Sequence, residues 1–264
     1  MQFDFGENWA AYSAHAINAA RVEQARSDFA ALLAGAGGVS GKSFLDIGFG
    51  QGLSLLSAAA SGARVFGIDI NSRCGEVLNR NKALFPDVPN GDIPIAIGSI
   101  LDPGAVDQCR QRSPNADGYD IVHSWGVLHH TGDMRRALHN AAALVKPGGH
   151  LVVALYNRHW SSRLWLAIKY AYCKSPPVLR KGLVWLLWPV IYVAKWLVTK
   201  QNPRKQTRGM AFFYNVVDWV GGYPYEYASR KEVLELVEPL GFRCVRVIPS
   251  AVPTGCNEFV FRRA

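Results

Sequence analysis

Cysteine is sparse and scattered: five residues at positions 74, 109, 173, 244 and 256, with no Cys-x-x-Cys spacing among them. Neither a zinc ligand set nor a disulfide framework follows from that pattern, and a reducing compartment is the expectation. The opening Met-Gln-Phe-Asp-Phe-Gly-Glu lacks a basic stretch followed by an apolar one, so no secretory leader is expected and cytoplasmic residence is. There is no internal repeat and no low-complexity tract. Charged residues make up only 19% of the chain against 49% hydrophobic, which excludes wholesale disorder. At 264 residues a full core can be buried, and one domain with an insertion is the simplest reading.

Acidic residues are missing from one long segment. Between Arg158 and Arg208 stand eleven Lys and Arg residues and no Asp or Glu, which leaves eighteen basic against twenty acidic residues elsewhere. The net charge of +9 is therefore local, and it coincides with Trp160, Trp165, Trp185, Trp188 and Trp196. Basic residues mixed with tryptophan and aliphatics suit a membrane surface better than a nucleic-acid groove. Within this segment the apolar run from Gly182 to Val198 covers 17 residues and contains Pro189 and Lys195. It falls slightly short of the roughly 20 residues that span a bilayer, so a helical hairpin lying in the interface is expected.

What is present is an α/β rhythm. Apolar runs recur at 44–47, 64–68, 93–97, 119–123 and 150–155, separated by stretches long enough for helices, such as 53–61 and 134–145. Continuous rather than alternating apolar strands mean a parallel sheet covered on both faces. A helix is expected over 14–34, ending in Gly35-Ala-Gly-Gly38, and another over 230–240 with Gly241 as its stop. Two further strands, 243–249 and 257–261, bring the doubly wound, mostly parallel α/β sheet to seven strands. The organisation divides as 1–157 for a cap helix and cofactor core, 158–208 for a helical insertion after the fifth strand, and 209–264 for an acceptor-site loop and the last strands.

The chemistry concentrates where the first strand ends. Asp46-Ile-Gly-Phe-Gly-Gln-Gly52 lies between a strand and a helix, where glycines let backbone approach a ligand. The Gly-x-Gly-x-x-Gly spacing of dinucleotide sites is absent; Asp-x-Gly-x-Gly-x-Gly stands in its place. That spacing resembles motif I of the class I S-adenosylmethionine-dependent methyltransferases. The resemblance extends in order through Gly67-Ile-Asp69, Gly98-Ser-Ile-Leu-Asp102, Tyr119-Asp-Ile-Val-His-Ser-Trp-Gly-Val-Leu-His-His130 and Leu144-Val-Lys-Pro-Gly-Gly-His-Leu-Val-Val153, over roughly residues 40–157. The tail run Asp218-Trp-Val-Gly-Gly-Tyr-Pro-Tyr-Glu-Tyr-Ala228 resembles one found in a subset of small-molecule methyltransferases, as does the entry segment Phe3-Asp-Phe-Gly-Glu-Asn-Trp9. Two glycines, a proline and four aromatics make 218–228 a structured loop in expectation.

The resemblance implies a Rossmann-like methyltransferase fold and S-adenosylmethionine as cofactor. It assigns Gly48, Gly50 and Gly52 to the cofactor loop and Asp46 to indirect contacts with the amino acid moiety. Asp69 would meet the ribose, Ser99 and Ile100 the adenine, and Ile70 and Ser124 are further expected cofactor contacts. For a hydroxyl acceptor, His129 after the fourth strand is the expected proton acceptor. His130, Tyr156, Asn157, Asp218, Tyr223 and Glu226 are expected substrate contacts, while His123 is expected to pack within its strand. No metal role is expected for His129, His130 and Asp133, whose adjacent side chains diverge. The (Asp/Asn)-Pro-Pro-(Tyr/Phe) tetrapeptide of base-directed enzymes is missing, so nucleic acid is not the expected partner. A small-molecule or lipid-linked acceptor is. For the insertion three readings stand open: peripheral contact with the inner face of a membrane, a lid over a soluble acceptor, or a homodimer interface.

Overall fold

Secondary structure in the computed structural model, which describes residues 3–204 and 211–264, follows the α/β rhythm from the second helix onward. In chain order the elements are α1 (Phe5–His15), α2 (Ala19–Leu33), β1 (Ser43–Ile47), α3 (Leu53–Ala60), β2 (Arg64–Asp69), α4 (Arg73–Lys82), β3 (Ile95–Ile97), α5 (Pro103–Gln111), β4 (Tyr119–Trp125), α6 (Met134–Ala143), β5 (Val145–Tyr156), α7 (Ser162–Lys174), α8 (Pro177–Thr199), α9 (Phe212–Gly221), α10 (Arg230–Val237), β6 (Phe242–Ile248) and β7 (Cys256–Arg263). The seven strands form one sheet in the order β3-β2-β1-β4-β5-β7-β6, with β7 antiparallel to both neighbours.

The order reverses between β1 and β4, so the carboxyl ends of these two central strands open a crevice, the usual ligand position in open α/β sheets. All five residues of β1 are buried, as expected of a central strand covered on both faces. One core layer packs α5, α6 and α10 against the sheet through residues such as Val122, Leu138, Val233 and Phe259; the other packs α2, α3 and α4 through Phe29, Phe44, Leu55 and Leu78.

Four segments depart from, or add to, what the sequence suggests. The single helix over 14–34 is two helices, because Asn18 breaks the chain into extended backbone and its side chain caps α2 by accepting from the Arg21 N–H. The entry segment is itself helical, with Asp4 capping α1. The run 218–228 is not a loop throughout, since Asp218–Gly221 form the last turn of α9, whose Phe212, Val216 and Val220 recur at helical spacing and are all buried.

The fourth concerns the basic insertion. It contains α7 and α8, and α8 continues unbroken through Pro189 for 23 residues, roughly 34 Å of helix, which by length and composition alone matches a membrane-crossing helix. The apolar run undercounts it because Pro177 opens the helix ahead of Arg180 and Lys181. One face of α8 packs on α7 and α9 through Val184, Leu183, Leu187, Trp188 and Ile191, while Val178, Leu179, Trp185, Leu186, Val190 and Val193 stand exposed. Residues 205–208, the expected end of the insertion, lie outside the described residues.

Candidate active site

A large cleft of about 1110 Å³ runs along the carboxyl edge of the sheet from the glycine loop to α8 and α9. At one end, β1 delivers Gly48 and Gly50 in the left-handed region, at φ 74° and 55°. A Cβ at Gly48 would sit 2.4 Å from the Val127 side chain, and one at Gly50 would press on the Trp9 indole at 3.3 Å, so both positions require glycine. Gly52 does not line the cleft. Its missing Cβ makes room for Leu78, which would otherwise lie 2.2 Å away, so it serves the packing of α3 against α4.

Asp69, at the end of β2, is buried but lines the cleft. Its Oδ2 accepts the Gly50 N–H and its Oδ1 the Asn71 N–H, both at 2.9 Å, which ties the carboxylate to the glycine loop. Burial raises its pKa from the ordinary carboxylate value, opposed by those two backbone donors. Ile70 beside it is exposed and apolar, and Ser99 and Ile100 continue the same wall. The Asp69 carboxylate, which also takes the Cys74 thiol, faces the cleft next to an apolar shelf for a flat base and a backbone cradle that a side chain would fill. These residues fit S-adenosylmethionine.

Asp46 lines the floor of the cleft and is held by His123, whose Nδ1 lies 2.7 Å from Oδ1 directly across the β1–β4 pairing. His123 stacks on Phe44, as its strand position suggested. Ser124 is corrected: it is fully buried, donates to the Ile47 carbonyl, and does not reach the cleft.

At the other end the cleft is aromatic. Phe3, Phe5, Trp125, Trp165, Tyr156 and Trp219 line it, and Ile191, Ala194 and Val198 of α8 close its far side. Helix α1 crosses between the halves. Asp4 accepts from Asn71 at 2.6 Å on the cofactor side, and Asn8 donates to Asp218 at 2.7 Å on the other.

The histidine pair resolves against expectation. His129 is completely buried and faces away from the cleft; its Nδ1 accepts the Tyr156 N–H at 3.3 Å, so the proton sits on Nε2. Burial lowers its pKa well below the usual value. A base must reach its substrate, and His129 does not. His130 lines the cleft instead, with Nδ1 donating to the Pro224 carbonyl at 2.5 Å, which leaves Nε2 the lone pair. Burial, followed by the Lys169 charge, pushes the His130 imidazole down to about 3, so it is neutral near pH 7.

The tail run proves to be the scaffold of this half. Pro224 anchors His130, the Gly222 position leaves 2.8 Å for the His130 ring, and Gly221 admits the Phe3 ring, 2.3 Å from where a Cβ would be. Of the expected substrate contacts, Tyr156 and Asp218 line the cleft with His130. Asn157, Tyr223 and Glu226 do not: Asn157 donates to the Pro253 carbonyl, Tyr223 accepts the Phe3 N–H through its backbone, and Glu226 takes the Met134 N–H at the start of α6. Lys169 went unrecognised, counted among the basic surface residues although α7 places it on the same buried face as Tyr172 and Cys173.

Comparison with known proteins agrees with this geometry. A family model for the methyltransferase domain matches residues 19–208. The ubiquinone biosynthesis O-methyltransferase of Vibrio vulnificus (strain YJ016) is 32% identical over 154 residues, 58% of this chain and 57% of that protein. Its counterpart in Photorhabdus laumondii is 33% identical over 135 residues, 51% of this chain and 50% of that one. The chain thus spans about half the length of the curated relatives it matches. Among solved structures, magnesium protoporphyrin IX methyltransferase from Synechocystis PCC 6803 with bound SAH shares the fold at a TM-score of 0.54 and 15% identity, over 92% of this chain and 84% of that one. Since the family match takes in every strand from β1 to β5 and with them the glycine loop and Asp69, this chain belongs to the methyltransferase-domain family.

Proposed function

We propose that the enzyme transfers a methyl group to a hydroxyl on a hydrophobic acceptor that it takes from a membrane surface. The observation that carries this reading is α8 itself, which lines the cleft with Ile191, Ala194 and Val198 and turns Trp185, Leu186, Val190 and Val193 outward. One helix thereby joins an apolar acceptor pocket to an apolar outer surface. The surrounding Arg163, Lys174, Lys181 and Lys200 have no acidic neighbours in the segment and suit an anionic leaflet. Transfer to oxygen accords with the ubiquinone biosynthesis O-methyltransferases it resembles.

When bound, the cofactor supplies a methyl group already activated by positive sulfur, so the protein's work is alignment and exclusion of water. Asp69, Gly50 and the Ile70–Ile100 wall hold the cofactor end. Phe5, Trp219 and Tyr156 pack the acceptor, while α1 closes over both. Enzyme residence is then cytoplasmic and peripheral to the inner face of a membrane.

Label transfer from methyl-labelled S-adenosylmethionine to total lipid, soluble metabolites and total RNA tests this directly. Label in base-stable ether products of the lipid fraction is the expected result. Label confined to the soluble pool would overturn the membrane assignment and leave the insertion as a lid or dimer contact, and label in RNA would overturn the acceptor class.

A further inference from the structure

The cleft's acceptor half is backed by a lysine that no part of the reading above uses. Lys169 has no exposed surface. Its Nζ donates to the Trp219 carbonyl, and it lies 4.2 Å from the Trp219 ring centroid and 4.7 Å from that of Tyr225, with Tyr156 at 5.7 Å. An ammonium enclosed by aromatic faces keeps its charge through cation–π attraction, yet burial still opposes that charge, and a site that merely needed filling would hold a methionine or leucine. The residue next to Trp219 in the motif is Asp218, whose carboxylate is favoured first by its hydrogen bond from Asn8 and then by the Lys169 charge.

Asp218 is the acid that α9 delivers to the acceptor half of the cleft. One oxygen, Oδ1, accepts from Asn8 at 2.7 Å. Asp46 and Asp69 belong to the cofactor end, and Glu258 accepts the Trp125 indole N–H at 3.0 Å. We propose that Asp218 is the catalytic residue that takes the proton from the acceptor hydroxyl, and that Lys169, whose Nζ is held at the carbonyl of the neighbouring Trp219, is the positioning residue whose charge favours the carboxylate form. This rests on the O-transfer reading above. The acceptor O–H bond breaks with its proton passing to Asp218; the oxygen's electron pair forms the C–O bond as the cofactor's C–S bond breaks, and sulfur retains that bond's pair.

Burial, against the Asn8 hydrogen bond and the Lys169 charge, pushes Asp218 up to about 7, and burial pushes Lys169 down to about 7. A carboxylate so raised is a stronger base than an exposed one, which suits it to a hydroxyl. Other titratable groups face the pair: His129 and His130 from the β4–α6 connection, Tyr156 from β5, Cys256 from β7, and Tyr172 and Cys173 from α7. The histidines are held neutral and the tyrosines are held protonated near pH 7.

Two measurements on the full-length protein separate this inference from the reading beneath it. In the first, aspartate labelled with ¹³C at the carboxyl is titrated by NMR, with Asp218→Asn identifying the resonance. A midpoint well above that of the exposed carboxylates is expected, moving up by about 1 pH unit or more in Lys169→Met and upward again in Asn8→Ala, which leaves Lys169 in place. A midpoint that neither variant moves would overturn the role of Lys169 whether or not an acceptor is turned over. In the second, methyl transfer to 4-nitrocatechol and to the total lipid extract is followed against pH. The wild-type kcat/KM should fall as pH drops through the Asp218 midpoint, Lys169→Met should shift that acidic limb upward in step with the NMR midpoint, and Asp218→Asn should lose about 10²- to 10⁴-fold in kcat with unchanged affinity for S-adenosylhomocysteine. Full activity of Asp218→Asn would sink the base assignment while leaving O-transfer intact; failure of the wild type to methylate any hydroxyl would sink O-transfer, and with it Asp218 as base.

Discussion

Replacing Asp69 with Asn separates two jobs that one carboxylate performs. Its oxygens already accept the Gly50 and Asn71 N–H groups at 2.9 Å, and those bonds exist with or without cofactor. An amide keeps one acceptor oxygen and turns an NH₂ toward the other donor, so the loop loses a bond and gains a repulsion at a cost of about 1–3 kcal/mol in folding. For a protein of this size that lowers Tm by roughly 2–12 °C. Cofactor affinity responds to a different quantity, the charge-assisted hydrogen bond to the ribose diol, worth about 1.5–3 kcal/mol, or about 10- to 150-fold in Kd. Titration calorimetry with S-adenosylhomocysteine measures this without any acceptor, and scanning calorimetry measures the stability term. Because burial raises the Asp69 pKa, the ionised form that binds best is lost on acidification sooner than for an exposed aspartate. Wild-type affinity should therefore weaken with falling pH above the usual carboxylate range, and the variant's should not. A variant that melts early yet binds with wild-type affinity would reduce Asp69 to an anchor for the glycine loop and remove it from the cofactor site.

Gly222→Ala places a methyl 2.8 Å from both the Asp218 carbonyl and the His130 ring, so overpacking of about 1–3 kcal/mol should appear as a lower melting temperature together with slower transfer. His123→Phe keeps the stacking on Phe44 but strips Asp46 of its donor, leaving a buried carboxylate oxygen unpaired; the urea midpoint should fall by the equivalent of about 1–3 kcal/mol, with weaker cofactor binding. Exchanging both Trp185 and Leu186 for glutamate removes two exposed apolar groups from α8, each worth about 1.5–3 kcal/mol if buried in lipid. Partition onto anionic vesicles, read by cosedimentation, should drop about 100-fold or more while binding of S-adenosylhomocysteine stays as it was.

Where one residue's role depended only on its own neighbours in sequence, the sequence displayed it. The β1 strand is buried throughout, as Phe44, Leu45 and Ile47 suggest, and the glycines at 48 and 50 that follow it take up positive φ beside the cleft. The failures share a physical origin, which is that direction around an axis is set by partners distant in the chain. His129 and His130 are adjacent on one short turn, and which of them meets the cleft is decided by the Tyr156 N–H, which captures His129, and by the Pro224 carbonyl, which turns His130. Lys169 was lost in a net-charge count, although its placement four residues after Trp165 and three before Tyr172 puts it on the inward face of α7. For α8 the difficulty is sharper. Both of its faces are apolar, so no hydropathy pattern separates the face that covers the acceptor from the face that is open; only the packing of Phe212, Val216 and Val220 from α9 selects the inner one. The same fact argues for a function of the outer face. A helix needing only to line the cleft would gain solubility from polar residues at 178, 179, 185, 186, 190 and 193, and all six of these exposed positions are hydrophobic.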